Sequence, residues 1–117
     1  MNVCILGLGY VGLTLALSFA DCGVKVFGVD NNNKIISSLK NRKSTISEKN
    51  VEPLLNKHLG KNFEVSEVIP NTDIDNFVLS VGTPINENKK GKILISKSSF
   101  FNNRNHELII DKVQVLN

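Results

Sequence analysis

Aromatic residues are scarce in this 117-residue sequence, which has no tryptophan and one tyrosine. Proteins that bind single-stranded nucleic acid stack bases on aromatic side chains, so this composition does not support a nucleic-acid groove. The net charge of +3 is also small. We therefore expect the lysine clusters at 40–43 and 89–92 to lie on the solvated surface, where those nearest a ligand could help to hold phosphates.

Cysteines and long apolar runs are equally scarce. Cys4 and Cys22 are too few and too far apart for a zinc site or a disulfide framework, and we expect both to be buried structural thiols. No apolar run reaches the roughly 20 residues that span a bilayer, and the N-terminus lacks the basic region of a signal peptide. These absences predict a cytoplasmic protein with no metal site and no membrane contact.

The sequence does contain short apolar runs that alternate with helical patterns. The runs predict strands at 3–6, 24–29, 63–68 and 77–81. Helical patterns lie between them at 11–20, from the asparagines at 31–33 to about 40, and from 53 to 59, with glycines at 23 and 60 as stop signals. This alternation predicts an α/β fold with a doubly wound parallel sheet, in the strand order 3-2-1-4.

Three glycines, Gly7, Gly9 and Gly12, separate the first strand from the first helix with the spacing G-x-G-x-x-G. In such a strand–turn–helix context the first glycine makes the tight turn and the second lets the backbone approach a pyrophosphate. The third lets the helix pack closely on the sheet. The amides of Tyr10 and Val11, at the start of the helix, are then expected to point at the phosphates.

Asp30 ends the second strand, 18 residues after Gly12. An acid at this place accepts hydrogen bonds from an adenosine ribose and repels the extra phosphate of NADP, so the predicted cofactor is NAD. The alternative is a glycine-rich turn without a ligand, with Asp30 as a helix cap. Thr83 ends the fourth strand and could either touch the cofactor or cap the turn at Pro84. His58 is expected to be a surface histidine and not a catalytic base.

Four segments resemble the N-terminal domain of the UDP-glucose/GDP-mannose dehydrogenase family: GLGYVGL at 7–13, VFGVD at 26–30, EP at 52–53 and VGTP at 81–84. The resemblance implies a Rossmann-type NAD-binding domain at 1–86, left incomplete by a divergent tail at 87–117. It also implies an oxidoreductase that converts the C6 hydroxyl of a nucleotide sugar to a carboxylate with two NAD+, by way of a nucleophilic cysteine. Members supply uronic acids for polysaccharide biosynthesis.

The resemblance also assigns roles to individual residues. The three glycines hold the pyrophosphate, Asp30 the adenosine ribose and Thr83 the nicotinamide half. Members often carry a basic residue five positions after the aspartate, and here the lysine is Lys34, one position earlier. Glu52 stands for the acid of their Glu-Pro-Gly-Leu segment, near the substrate. The predicted cofactor contacts are Gly7, Gly9, Tyr10, Val11, Gly12, Asp30, Lys34 and Thr83.

Members of the family are several times longer than this chain and carry the nucleophilic cysteine and most sugar contacts in a C-terminal domain. We therefore expect the chain to bind NAD, to hold no catalytic residue, and to meet a nucleotide sugar only together with such a domain. A stand-alone dinucleotide-binding module and a degenerate gene product are the alternatives. Tail strands at 93–95 or 108–110 could pair with the edge of the fourth strand. Without them, that edge is expected to cause self-association.

Overall fold

A computed structural model describes residues 1–80, which form four strands and three helices. In chain order these are β1 (Asn2–Leu6), α1 (Tyr10–Asp21), β2 (Lys25–Val29), α2 (Asn33–Lys40), α3 (Val51–His58), β3 (Phe63–Ser66) and β4 (Asn76–Leu79). The α/β prediction is confirmed. The predicted tail strands, the boundary at residue 86 and Thr83 lie outside the described residues.

The four strands form one parallel sheet in the order β3-β2-β1-β4, as predicted. Ile5 in β1 lies opposite Gly28 in β2 and Val78 in β4. The chain builds outward from β1 to β3 and then crosses back to place β4 on the other side of β1. Ligands of open α/β sheets bind at such a reversal, beyond the carboxyl ends of the strands.

The three helices pack against one face of the sheet. Their common core consists of buried apolar side chains from β1, β2, β3 and all three helices, among them Val3, Ile5, Leu13, Leu17, Val26, Leu39, Leu55 and Phe63. Burial of a side chain of this size contributes about 1.5–3 kcal/mol, so this layer supplies much of the driving force for folding. A second cluster, on the opposite face, joins Cys4, Leu6, Phe27 and Val29 to Ile69 from the β3–β4 connection.

Three element ends differ from the sequence predictions by two residues, namely the start of α3 and the ends of β3 and β4, and the other differences are of one residue. β3 ends at Ser66, two residues before the predicted end, because the Ser66 hydroxyl donates to the carbonyl of Val68 in a turn that leaves Val68 46% exposed. α3 begins at Val51, so that Pro53 is its third residue. A proline is tolerated there because the first-turn amides have no helical acceptor. No helix within residues 1–80 is long and apolar enough to cross a membrane.

Candidate cofactor-binding site

The turn from β1 into α1 depends on Gly7. Its φ of 101° lies in the left-handed region that favours glycine, and its amide donates to the carbonyl of Val29 at 2.7 Å. This hydrogen bond extends the β1–β2 pairing by one step before the chain turns away from the sheet. The first glycine of the motif therefore has the predicted role in the turn.

Gly12 lies in the first turns of α1, directly against the backbone of Gly7. A Cβ atom at Gly12 would lie 1.8 Å from the Gly7 carbonyl oxygen and 2.9 Å from the Gly7 carbonyl carbon. No side chain fits between these two backbone segments. The absence of a side chain at Gly12 therefore lets α1 start close to the end of β1, as predicted.

Gly9 is the N-cap of α1 and has extended backbone geometry, with φ −76° and ψ −161°. A Cβ atom at Gly9 would meet no atom within 4 Å, so the space in front of this residue is open. The first α-helical hydrogen bond runs from the Leu13 amide to the Gly9 carbonyl, and no side chain caps the helix. The amides of Tyr10 and Val11 therefore stand in an uncapped first turn, and this donor set fits a pyrophosphate.

Asp30 follows the last residue of β2, and two backbone amides hold its carboxylate. Oδ2 accepts from the Leu8 amide and Oδ1 from the Asn32 amide, each at 2.9 Å. A carboxylate can accept about four hydrogen bonds, so this one retains capacity for ribose hydroxyls. The cap of α2 is the Asn32 side chain, which accepts from the Lys34 amide at 3.0 Å. The N-cap of α2 is therefore Asn32 and not Asp30. The other part of that alternative, a glycine-rich turn without a ligand, stays open.

Two residues that the sequence reasoning did not consider place this carboxylate. The Leu8 side chain is fully buried, and a Cβ atom at Gly28 would lie 2.9 Å from Leu8 Cδ2 and 3.0 Å from Phe63 Cε1. Gly28 therefore leaves the space in which Leu8 inserts, and the inserted Leu8 turns its amide toward Asp30. A glycine inside the apolar strand VFGVD was the available signal, because such a glycine often marks a close approach.

Glu52 lines an open cleft beside the connection between α2 and α3, and its predicted place near a substrate stays a prediction. The Glu52 carboxylate accepts from the Ser44 amide at 3.3 Å, within its own part of the chain. It is Glu48 that contacts the glycine loop, because its Oε1 accepts from the Tyr10 hydroxyl at 2.5 Å. The loop that carries Glu48 borders an open cleft of about 750 Å³, lined by residues 44–49 with Glu52 and Pro53.

Residues 1–108 match the NAD-binding domain of the UDP-glucose/GDP-mannose dehydrogenase family. The chain belongs to this family. The match extends beyond residue 86, and the predicted boundary between a domain at 1–86 and a tail at 87–117 stays a prediction. NAD is the cofactor of this domain, in agreement with the glycine loop and Asp30.

Individual relatives agree with the family assignment. UDP-N-acetyl-D-mannosamine dehydrogenase of Methanococcus maripaludis is 36% identical over 91 residues, or 77% of this chain and 21% of that protein. GDP-mannose 6-dehydrogenase of Pseudomonas syringae is 38% identical over 93 residues, or 75% of this chain and 21% of that protein. The chain spans about a fifth of the length of these curated relatives.

A solved structure also matches the fold. The UDP-N-acetyl-mannosamine dehydrogenase of Staphylococcus aureus aligns with a TM-score of 0.67 and 29% sequence identity, and the alignment covers 79% of this chain and 23% of that one. The four-stranded parallel sheet of this chain therefore has the Rossmann-type fold found in part of that dehydrogenase.

The remaining predicted contacts stay predictions. Lys34 is the second residue of α2 and is exposed, and its ammonium makes no ion pair within the described part of the chain. Its position just beyond Asp30 is compatible with a role beside the ribose. Thr83 lies outside the described residues, so its two alternatives remain open.

Two predictions about side-chain burial are wrong. His58 is not a surface histidine: it is 8% exposed, its Nε2 lies 2.9 Å from Asp21 Oδ1, and its Nδ1 lies 2.9 Å from Asn62 Oδ1. Cys22 is exposed because it caps the C-terminal end of α1, where the chain turns at Gly23. Cys4 is fully buried, as predicted, and burial raises the pKa of its thiol to about 12.

No group of three or more metal-binding side chains occurs among residues 1–80. The α1 helix has 12 residues and is about 18 Å long, so Cys22 stands at the opposite end of α1 from the glycine loop. The ionisable groups around His58 belong to that same end. These cysteine and histidine side chains therefore lie away from the carboxyl edge of the sheet, where the glycine loop and Asp30 stand.

Proposed function

We propose that this chain is the NAD-binding part of a nucleotide-sugar 6-dehydrogenase. The single observation that supports this most is the geometry at the start of α1, where an uncapped helix turn faces open space beside Gly9. In this proposal the amides of Tyr10 and Val11 bind the pyrophosphate, and Asp30 binds the adenosine ribose. Bound NAD+ supplies the hydride acceptor for oxidation at the sugar C6 carbon.

The proposed overall reaction takes the C6 alcohol to a carboxylate and reduces two NAD+ with the consumption of one water. A cysteine thiolate adds to the aldehyde between the two oxidations, and water hydrolyses the thioester that results, which releases the thiol. Neither cysteine of this chain suits that role. Cys4 is buried in the sheet with a pKa of about 12, which keeps it protonated, and Cys22 lies at the far end of α1. We therefore propose that the chain alone binds NAD+ without turnover, and that sugar contacts come from a further domain.

The test combines calorimetry with an absorbance assay. Purified chain is titrated with NAD+, and is then mixed with NAD+ and a panel of UDP- and GDP-sugars while NADH absorbance is followed. We expect binding of NAD+ and no NADH. Steady NADH production that persists when both Cys4 and Cys22 are replaced by serine would contradict the proposal of an inactive cofactor-binding part. Absence of NAD+ binding would contradict the proposal as a whole.

A second experiment tests the same proposal by adding a substrate-binding part from a relative. A family dehydrogenase lacking its own NAD-binding domain, supplied as a separate chain, provides the thiol and the sugar contacts. Restored NADH production would support a role as the cofactor-binding half of an enzyme. A stand-alone binding module would give no NADH in the mixture, although it binds NAD+ equally well.

A further inference from the structure

The connection between α2 and α3, residues 41–50, contacts the glycine loop through one pair of side chains. The phenol of Tyr10 donates to Oε1 of Glu48 at 2.5 Å, across 38 residues of sequence. Both side chains are exposed. Within residues 1–80, this is the only side-chain hydrogen bond or ion pair of residues 47–49.

The base of this connection is held independently of Tyr10. The Ser44 amide donates to Glu52, the Ile46 amide donates to the Ser44 hydroxyl at 3.0 Å, and the Ile46 side chain packs on the main core. These contacts fix residues 44–46. The Val51 amide donates to the Glu48 carbonyl at 3.3 Å and so holds the backbone of residue 48 at the start of α3. The one side-chain hydrogen bond that positions residues 47–49, one side of the 750 Å³ cleft, within residues 1–80 is that between Tyr10 and Glu48.

Tyr10 couples this cleft to the phosphate-binding turn because it is the first residue of α1. The Tyr10 amide lies in the uncapped turn, while the Tyr10 side chain is hydrogen-bonded to Glu48. The N-terminal end of a helix attracts carboxylates and phosphates alike. Glu48 is bonded to the phenol, and no side chain caps the first turn of α1, so its carboxylate has a partner other than these amides.

The phenol is well suited to remain the donor in this pair. The hydrogen bond to Glu48, and next the negative charge of that carboxylate, raise the pKa of Tyr10 above its ordinary value. The hydroxyl therefore keeps its proton at neutral and mildly alkaline pH. A bond between a neutral donor and a carboxylate is stronger than one between two neutral groups.

We infer that Tyr10 and Glu48 are a pair of positioning residues for the cofactor. Their hydrogen bond fixes residues 47–49 as a wall beside the dinucleotide and keeps the Glu48 carboxylate away from the pyrophosphate. The inference rests on the proposed binding of NAD at the glycine loop.

The experiment is a double-mutant cycle on the full chain, with Tyr10→Phe, Glu48→Gln and the double variant. Glu52→Gln is the matched control, because it removes a carboxylate from the same cleft that does not contact Tyr10. NAD+ affinity is measured by calorimetry, and amide hydrogen exchange of residues 44–50 is measured without NAD+. We expect each single variant to bind NAD+ about three- to tenfold more weakly than the unsubstituted chain, as for loss of an exposed charge-assisted hydrogen bond. The double variant is expected to bind NAD+ as tightly as either single variant, because the two changes remove the same hydrogen bond. Amide exchange at residues 47–50 is expected to be faster in all three variants than in the unsubstituted chain, and unchanged in the Glu52→Gln control.

Several outcomes would overturn the inference. Tighter NAD+ binding by Glu48→Gln would mean that the carboxylate obstructs the cofactor. Additive losses would mean that the two side chains act separately, and faster exchange with unchanged affinity would mean that the wall does not serve the cofactor. If the unsubstituted chain bound no NAD+, the proposed function would fail, whereas equal binding by all variants would overturn only the role of this pair.

Discussion

Replacement of Gly12 by alanine tests the packing of the glycine loop most directly. The new Cβ atom would lie 1.8 Å from the Gly7 carbonyl oxygen, whereas real Cβ atoms essentially never approach another atom within 3.0 Å. The start of α1 must therefore retreat from β1 by more than about 1 Å. Overpacking of this kind costs about 1–3 kcal/mol, and we expect the upper end or more because both contacting segments are backbone.

Gly9→Ala is the matched control, since its Cβ atom would meet nothing within 4 Å and its φ of −76° suits alanine. We expect its free energy of unfolding to stay within about 0.5 kcal/mol of the unsubstituted chain. Its NAD+ affinity should fall about tenfold, or 1.4 kcal/mol, because the methyl group occupies the space proposed for the pyrophosphate. Urea unfolding followed by circular dichroism measures the first quantity and calorimetry the second. A Gly12→Ala variant with the original unfolding midpoint would refute the packing argument, and unweakened binding by Gly9→Ala would refute the proposed phosphate position.

Three further predictions concern ionisable groups. With a pKa of about 12, Cys4 should not react with a thiol reagent in the folded protein, so that only Cys22 is labelled until urea is added; labelling of both at equal rates would contradict its burial. The hydrogen bond to His58 lowers the pKa of Asp21 in the folded protein. The ionised Asp21 therefore stabilises the fold at pH values above the pKa that this side chain has in the unfolded chain, and the stabilisation is lost as the pH falls through its lower pKa in the folded protein. The gap between the urea midpoints of the unsubstituted chain and Asp21→Asn should therefore shrink below about pH 4, and a constant gap would refute this linkage. Asp30→Asn should weaken NAD+ binding by about 1–3 kcal/mol and reduce the preference for NAD+ over NADP+, and calorimetry with both cofactors measures these effects. Equal affinity of the unsubstituted chain for NAD+ and NADP+ would show that Asp30 does not face the ribose.

Features of the fold that depend on local sequence could be predicted. The strand order follows from the alternation of apolar runs and helices, and the turn at Gly7 follows from the glycine spacing. The close contact at Gly12 belongs to the same group, because it joins residues only five positions apart. In each case a pattern among neighbouring residues carries the information, even where the strands that pair are far apart in sequence.

Contacts between distant segments could not be predicted in the same way. His58 was assigned to the surface because its helix is amphipathic, but it meets Asp21, 37 residues away, at the C-terminal end of α1. Glu48 was not considered at all, because it reaches Tyr10, 38 residues away, only through the path of residues 41–50. Neither pairing leaves a periodic signal in the sequence.

The contacts within the glycine loop suggest why it needs little rearrangement to accept a dinucleotide. Gly7 is bonded to β2, Gly12 is packed against Gly7, and the Leu8 amide is bonded to Asp30, so contacts within the protein hold this loop. Ordering a loop on binding costs free energy, and a loop that is already ordered avoids that cost. Loss of the Asp30–Leu8 hydrogen bond should therefore weaken NAD+ binding partly through loss of this order. The comparison that decides the matter is the rate of amide exchange at residues 7–12 in Asp30→Asn without cofactor: faster exchange supports an ordering role, whereas unchanged exchange with weakened binding would assign the whole loss to the ribose.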